Sequence, residues 1–165
     1  EGSRPLMVEI QALVASTVYA SPKRSAVGLD QGRVAMLTAV LERRLSIPLG
    51  DQDVYVNVAG GARINEPASD LAVLLAILSA FRDKPLQSNI AVFGEIGLTG
   101  EVRPVHQPEM RVGEAHALGF EQLIMPIANQ RRVNESGVHA TLSAASMPRL
   151  TPVRHLIEAS QVGLA

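Results

Sequence analysis

Residues 71–78 read LAVLLAIL, and they are apolar on every side of a helix. A helix on a protein surface needs only one apolar stripe. A segment apolar nearly all round must instead be buried on more than one side, so the fold has to supply packing layers around it. The helix is predicted to follow Pro67, to run to about Phe81 and to end before Pro85. The apolar run from Leu71 to Phe81 is too short to span a bilayer and contains Ser79. A chain of 165 residues with 47% hydrophobic content is enough to surround such a helix within a single domain, expected over residues 1–165.

The rest of the chain offers alternating partners for that helix. LMVEIQALV (6–14) alternates like a strand, and residues 15–28 read as a loop with Pro22 and two adjacent cations. Asp30 caps a predicted helix to about Leu45, with Val34, Leu37, Leu41 and Leu45 on its buried stripe. VYVNVA (54–59) is a predicted strand, and Gly60-Gly61 permits a tight turn after it. IAVFGEIGL (90–98) and LTGEVRPV (98–105) form a hairpin turning at Gly100. A helix over 108–118 closes at Gly119, QLIMP (122–126) and HATLSAA (139–145) are strands, and 152–160 is the final helix. Arg131 and Arg132 fall in a region without regular pattern and are read as exposed loop residues. Strands interleaved with helices, plus a hairpin, predict an α/β or α+β fold with a mixed sheet.

Composition removes several chemistries. There is no cysteine, which excludes disulfides, thiolate metal sites and thiol nucleophiles, and suits a reducing cytosol. No HExxH, GxxxxGK[ST] or GxGxxG occurs, and no His/Asp/Glu cluster has ligand spacing, so no metal site is expected. Of the five aromatics, Phe81, Phe93 and Phe120 sit in or beside apolar runs, which argues against base stacking on a ring platform. Net charge is −1, so affinity for nucleic acid would need a local patch. The chain opens on Glu-Gly-Ser-Arg-Pro, as a segment of a longer polypeptide would.

Such a patch is present in the sequence. Between residues 22 and 44 stand Lys23, Arg24, Arg33, Arg43 and Arg44, five cations against Asp30 and Glu42. Loop cations ahead of a capped helix suit sequence-independent phosphate contacts. The alternative is a solvated face, with Arg43 and Arg44 favourable at a helix C-terminus. A second set, Glu95, Glu101, Arg103, Glu109, Arg111 and Glu114, alternates in sign and suits a subunit boundary, with Glu101, Arg103 and Arg111 as candidates, or a mixed solvated surface.

Ser69, at the entry to the central helix, is the one candidate nucleophile. It needs a base within hydrogen-bond reach. The only lysines are Lys23, in the Pro-containing loop, and Lys84, roughly 22 Å away at about 1.5 Å per helical residue. His106 is the best placed of His106, His116, His139 and His155, yet no motif fixes it near Ser69, and no Gly-x-Ser-x-Gly elbow occurs. The simpler reading makes Ser69 a first-turn residue whose hydroxyl serves orphan N–H groups, with Glu66 and Asp70 favourable to the helix dipole.

Together, VYVNVAGGARINEPASDLAVLLA, FRDKPL, VFGEIGLTGEVRPV, RVGEAHALGF and LIMP resemble the carboxy-terminal domain of the bacterial RadA (Sms) family. That domain is similar in turn to the proteolytic domain of Lon, with the fold of ribosomal protein S5 domain 2. Anchored on Pro67, the resemblance puts Lon's serine at Ala68, with Ser69 one residue on, and puts Lon's lysine at Glu109. It therefore implies a degenerate Ser–Lys site in a domain that is not itself an enzyme; a residual peptidase or a peptide-binding module are the alternatives. It also implies a DNA repair ATPase forming hexameric rings, active in recombination and branch migration. DNA and the recombinase RecA are the implied partners, with no membrane. ATP, Mg and Zn are implied for portions outside this chain, and a cytoplasmic location goes with them.

Overall fold

The computed structural model describes residues 5–138 and 147–164, so the strand expected over 139–145 lies outside the described residues. Three strands make the first sheet: β1 (Ile10–Ser16), β2 (Arg24–Val27) and β3 (Gln52–Val58), in the order β1-β3-β2. β1 runs antiparallel to β3 and β2 parallel to it, so this sheet is mixed. Helix α1 (Gln31–Leu45) connects β2 to β3. Asp30 caps it, its carboxylate accepting the Arg33 N–H at 2.7 Å.

A single 3-10 turn, Pro67–Ser69, leads into α2 (Asp70–Arg82). α2 packs on β1 and β3 with one side and on α1 and α5 (Leu156–Gly163) with others. Leu71, Leu74, Leu75, Ile77 and Leu78 are each 0% exposed, as an all-round apolar helix requires. At roughly 1.5–3 kcal/mol for each such side chain, this helix contributes more large, fully buried side chains than any other element among the described residues.

A second sheet is wholly parallel: β4 (Ile90–Val92), β7 (Gln122–Pro126) and β8 (Arg149–Val153), in the order β4-β7-β8. One face of it, through Ile124 and Val153, joins the core around α2. The other, through Ala91, Leu123 and Met125, packs with Val112, Ala115 and Val133 from α3 (Pro108–Ala117) and α4 (Ile127–Glu135). The expected hairpin is β5 (Glu95–Ile96) with β6 (Val102–Arg103), turning at Gly100, whose φ is +86°. Helices packed on one mixed and one parallel sheet, beside an antiparallel hairpin, make the chain α+β, and no helix among the described residues is long and apolar enough to cross a membrane.

Four expectations need correction. The loop expected over 15–28 contains β2, held by pairing to β3 and by the Arg24 guanidinium, which donates to the carbonyls of Gln52 and Leu49. The single strand expected over 90–98 breaks at Gly94, because Gly94 turns its polar groups to the helix entry: its N–H donates to Ala68 O at 2.8 Å and its carbonyl accepts the Leu71 N–H at 3.0 Å. Arg131 and Arg132 lie on a helix, not a loop. α4 is fixed by Val133 in the core and by Asn129, which exchanges hydrogen bonds with the Val105 backbone at 2.9 and 3.0 Å. Finally, Pro152 and Val153 end β8, and the last helix starts only at Leu156.

Candidate nucleic-acid interface

The entry to α2 is closed by short polar contacts. Pro67 has no N–H to leave unpaired at the first position of the turn, and Ala68 is 5% exposed. The Ser69 hydroxyl donates to Glu66 O at 3.0 Å, its one hydrogen bond among the described residues. It therefore satisfies a carbonyl and not the orphan N–H groups expected of it. The Glu66 carboxylate pairs with Arg111, whose Nε donates to His106 O at 3.0 Å and whose guanidinium lies 5.8 Å from the Phe93 ring centre. Glu109 pairs with Arg132 at 2.9 Å. Burial pushes the Glu109 carboxyl up, but its own backbone N–H and Arg132 outweigh this and hold it below the ordinary value. Its Oε2 is buried without a partner among the described residues. Neither lysine hydrogen-bonds to Ser69: the Lys23 ammonium sits 3.7 Å over the Tyr19 ring, and Lys84 lies past the end of α2.

The five cations of residues 22–44 take different partners. Lys23 is exposed, and Tyr19 holds its ammonium above the ordinary pKa, so it stays charged. Arg24 clamps the 49–52 turn through two carbonyls. Arg33 reaches across to Asp70 at the start of α2, with Nε donating to Oδ1 at 2.9 Å, and the Asp70 side chain is only 3% exposed. Arg43 and Arg44 end α1 and line a groove of about 310 Å³ with Thr99, Gly100, His155, Leu156 and Ile157. The sequence offers His155 only as a candidate base, inside the helix expected over 152–160, and carries no local signal for this groove.

The three candidates for a subunit boundary are bonded within the chain. Arg103 donates to Glu101 Oε1 from Nε at 2.9 Å and from a terminal nitrogen at 2.6 Å, with Glu95 3.6 Å away, while Arg111 holds Glu66. The Thr99 hydroxyl, then the backbone and Arg103, lower the Glu101 pKa to about 2. A depressed carboxyl stabilises the fold in full above its unfolded value near 4.5, and the contribution is lost as pH falls through about 2. Glu101→Gln should therefore remove part of the stability difference between pH 5 and pH 2, read from urea midpoints at each pH. An unchanged difference would refute the role of Glu101. Among the described residues no group of three or more His, Asp or Glu side chains is arranged to hold a metal ion.

Proteins named DNA repair protein RadA are similar: that of Haemophilus influenzae is 51% identical over 130 residues, 79% of this chain and 28% of the relative. That of Escherichia coli is 53% identical over 129 residues, 78% of this chain and 28% of the relative. That of Bacillus subtilis is 51% identical over 129 residues, with the same two shares. The chain thus spans less than a third of the length of these relatives. A family model matches residues 9–129, from the start of β1 to the first turn of α4, and by that match the chain belongs to the family described as Subunit ChlI of Mg-chelatase.

Proposed function

We propose that this chain is the proteolytically silent, Lon-like part of a RadA-type DNA repair protein, serving as a ring-assembly scaffold and a sequence-independent DNA contact. The observation that carries the silent site is Glu109. The resemblance assigns its position to an amine, and here it bears a carboxylate paired with Arg132. An ionised carboxylate beside an arginine is a poor acceptor for a serine proton, and Ser69 directs its hydroxyl at a backbone carbonyl instead. The roughly 50% identity to proteins named for DNA repair supports the link to DNA repair. The ATPase chemistry, with its ATP and Mg, and the zinc site belong to portions of the longer protein outside this chain.

The cations available for phosphate are then Lys23, Arg43 and Arg44: Arg24 and Arg33 commit terminal guanidinium nitrogens to groups within the chain, whereas Lys23 keeps an exposed ammonium over the Tyr19 ring, Arg44 uses only its Nε, and Arg43 has no side-chain partner among the described residues. Two readouts on one preparation test the reading. A fluorophosphonate probe should not label the chain, and Ser69→Ala should change stability by only about 0.5–1.5 kcal/mol, the net contribution of one hydrogen bond. Labelling abolished by Ser69→Ala would sink the silent-site reading. Duplex binding should weaken steeply as salt rises, and a chain that binds no duplex at low salt removes the DNA contact.

A further inference from the structure

We infer that the groove between the end of α1 and the start of α5 is a seat for a backbone phosphate of nucleic acid, held by Arg43, Arg44 and His155. This rests on the DNA-contact reading above and gives it a location. The argument starts from which arginines are already committed. Arg24, Arg33, Arg103, Arg111, Arg131, Arg132 and Arg149 each have side-chain hydrogen bonds to a carbonyl, a carboxylate or an amide within the chain. Arg43 has no side-chain partner among the described residues, and it lies where a second arginine and a histidine line the same groove.

Arg44 is pre-set for the task. A Cβ built on Gly100 would lie 3.2 Å from Arg44 Cγ, so the Arg44 stem packs against this turn, and its Nε donates to Leu98 O at 3.2 Å. Fixing the stem and one N–H leaves the terminal nitrogens free to donate as a pair. That geometry matches two phosphate oxygens, with less side-chain entropy left to lose. Glu101 is taken by Thr99 and Arg103, Glu158 turns one oxygen to the Arg154 backbone N–H at 2.9 Å, and no carboxylate lines the groove. Leu156 and half-exposed Ile157 give it an apolar wall, which strengthens the attraction between charges. Its volume is that of roughly ten water molecules. The larger groove, about 490 Å³ at the start of α1, contains one cation, Arg63, beside Asp30, and is the poorer seat for an anion.

The test is fluorescence anisotropy of a labelled duplex against the chain, across a salt series. Arg43→Ala, an exposed substitution that leaves the packing intact, should weaken binding severalfold and make the slope of log K against log salt shallower by about 1. His155→Ala should weaken binding in the same direction, whereas Arg82→Ala, at an arginine elsewhere with no side-chain partner among the described residues, should not. If wild type binds duplex and Arg43→Ala binds equally well with the same slope, the groove assignment is overturned while the DNA reading stands. No binding by wild type at low salt overturns both. Inorganic phosphate, titrated alone, separates the remaining case: saturable binding lost in Arg43→Ala with duplex binding unchanged would make this a free-phosphate site and refute the assignment.

Discussion

Arg33→Ala should lower the free energy of unfolding by about 3–5 kcal/mol, measured by urea denaturation at pH 7. Asp70 stands at the first position of α2 with its side chain 3% exposed. Its Oδ1 accepts Arg33 Nε at 2.9 Å, and its Oδ2 accepts both a terminal nitrogen of Arg33 and the Ile96 N–H at 3.1 Å. One carboxylate thus ties α1, the start of α2 and β5 together. Removing Arg33 strands a buried negative charge with one backbone donor, and desolvation then dominates. Asp70→Asn with Arg33 intact should cost less, since an amide oxygen can still take the Ile96 N–H and the guanidinium keeps solvent access. A midpoint for Arg33→Ala within error of wild type would show that the pair contributes nothing net. The consequence for DNA binding is direct: a loss of affinity in this variant counts as a contact effect only where the protein is shown to be folded.

The difference between Arg33 and Arg43 explains why the site was only partly legible in the sequence. A sequence reports where charges are, while pairing is decided by residues far along the chain, and the partner of Arg33 lies beyond a whole sheet strand. The five cations therefore looked like one set. The fold, by contrast, was legible wherever the signal was local. The α1 cap at Asp30, the all-round apolar face of α2, the hairpin at Gly100 and the left-handed Gly119 closing α3, with φ +77°, all follow from neighbours within a few residues. The missed elements depend on remote groups. β2 needs the carbonyls of Leu49 and Gln52, α4 needs the backbone of Val105, and the break at Gly94 needs Ala68 and Leu71. His155 was missed for the same reason: only folding brings the end of α1 against the start of α5.

Gly28→Ala should be comparably destructive, and it tests the junction from which α1 and its terminal arginines are aimed. Gly28 has φ +80°, a region where an L side chain is strained by roughly 1–2 kcal/mol. An added Cβ would also stand 2.4 Å from Ala62 O and 2.8 Å from Val58 Cβ. Neither neighbour can yield easily. Val58 ends β3 in the core, and Ala62 belongs to the segment pinned when Ile64 N–H donates to Gly28 O at 2.8 Å. Overpacking of this kind adds about 1–3 kcal/mol, for a total near 2–5 kcal/mol. For a chain of this length that lowers Tm by roughly 5–15 °C. Gly60→Ala separates the two terms: its φ is +77°, but nothing lies within 4 Å of the new Cβ, so only the conformational part of about 1–2 kcal/mol should appear. If the two variants melt together, the close approach at Ala62 has been absorbed by a small shift, and the segment joining β3 to the helix entry is softer than its hydrogen bonds imply.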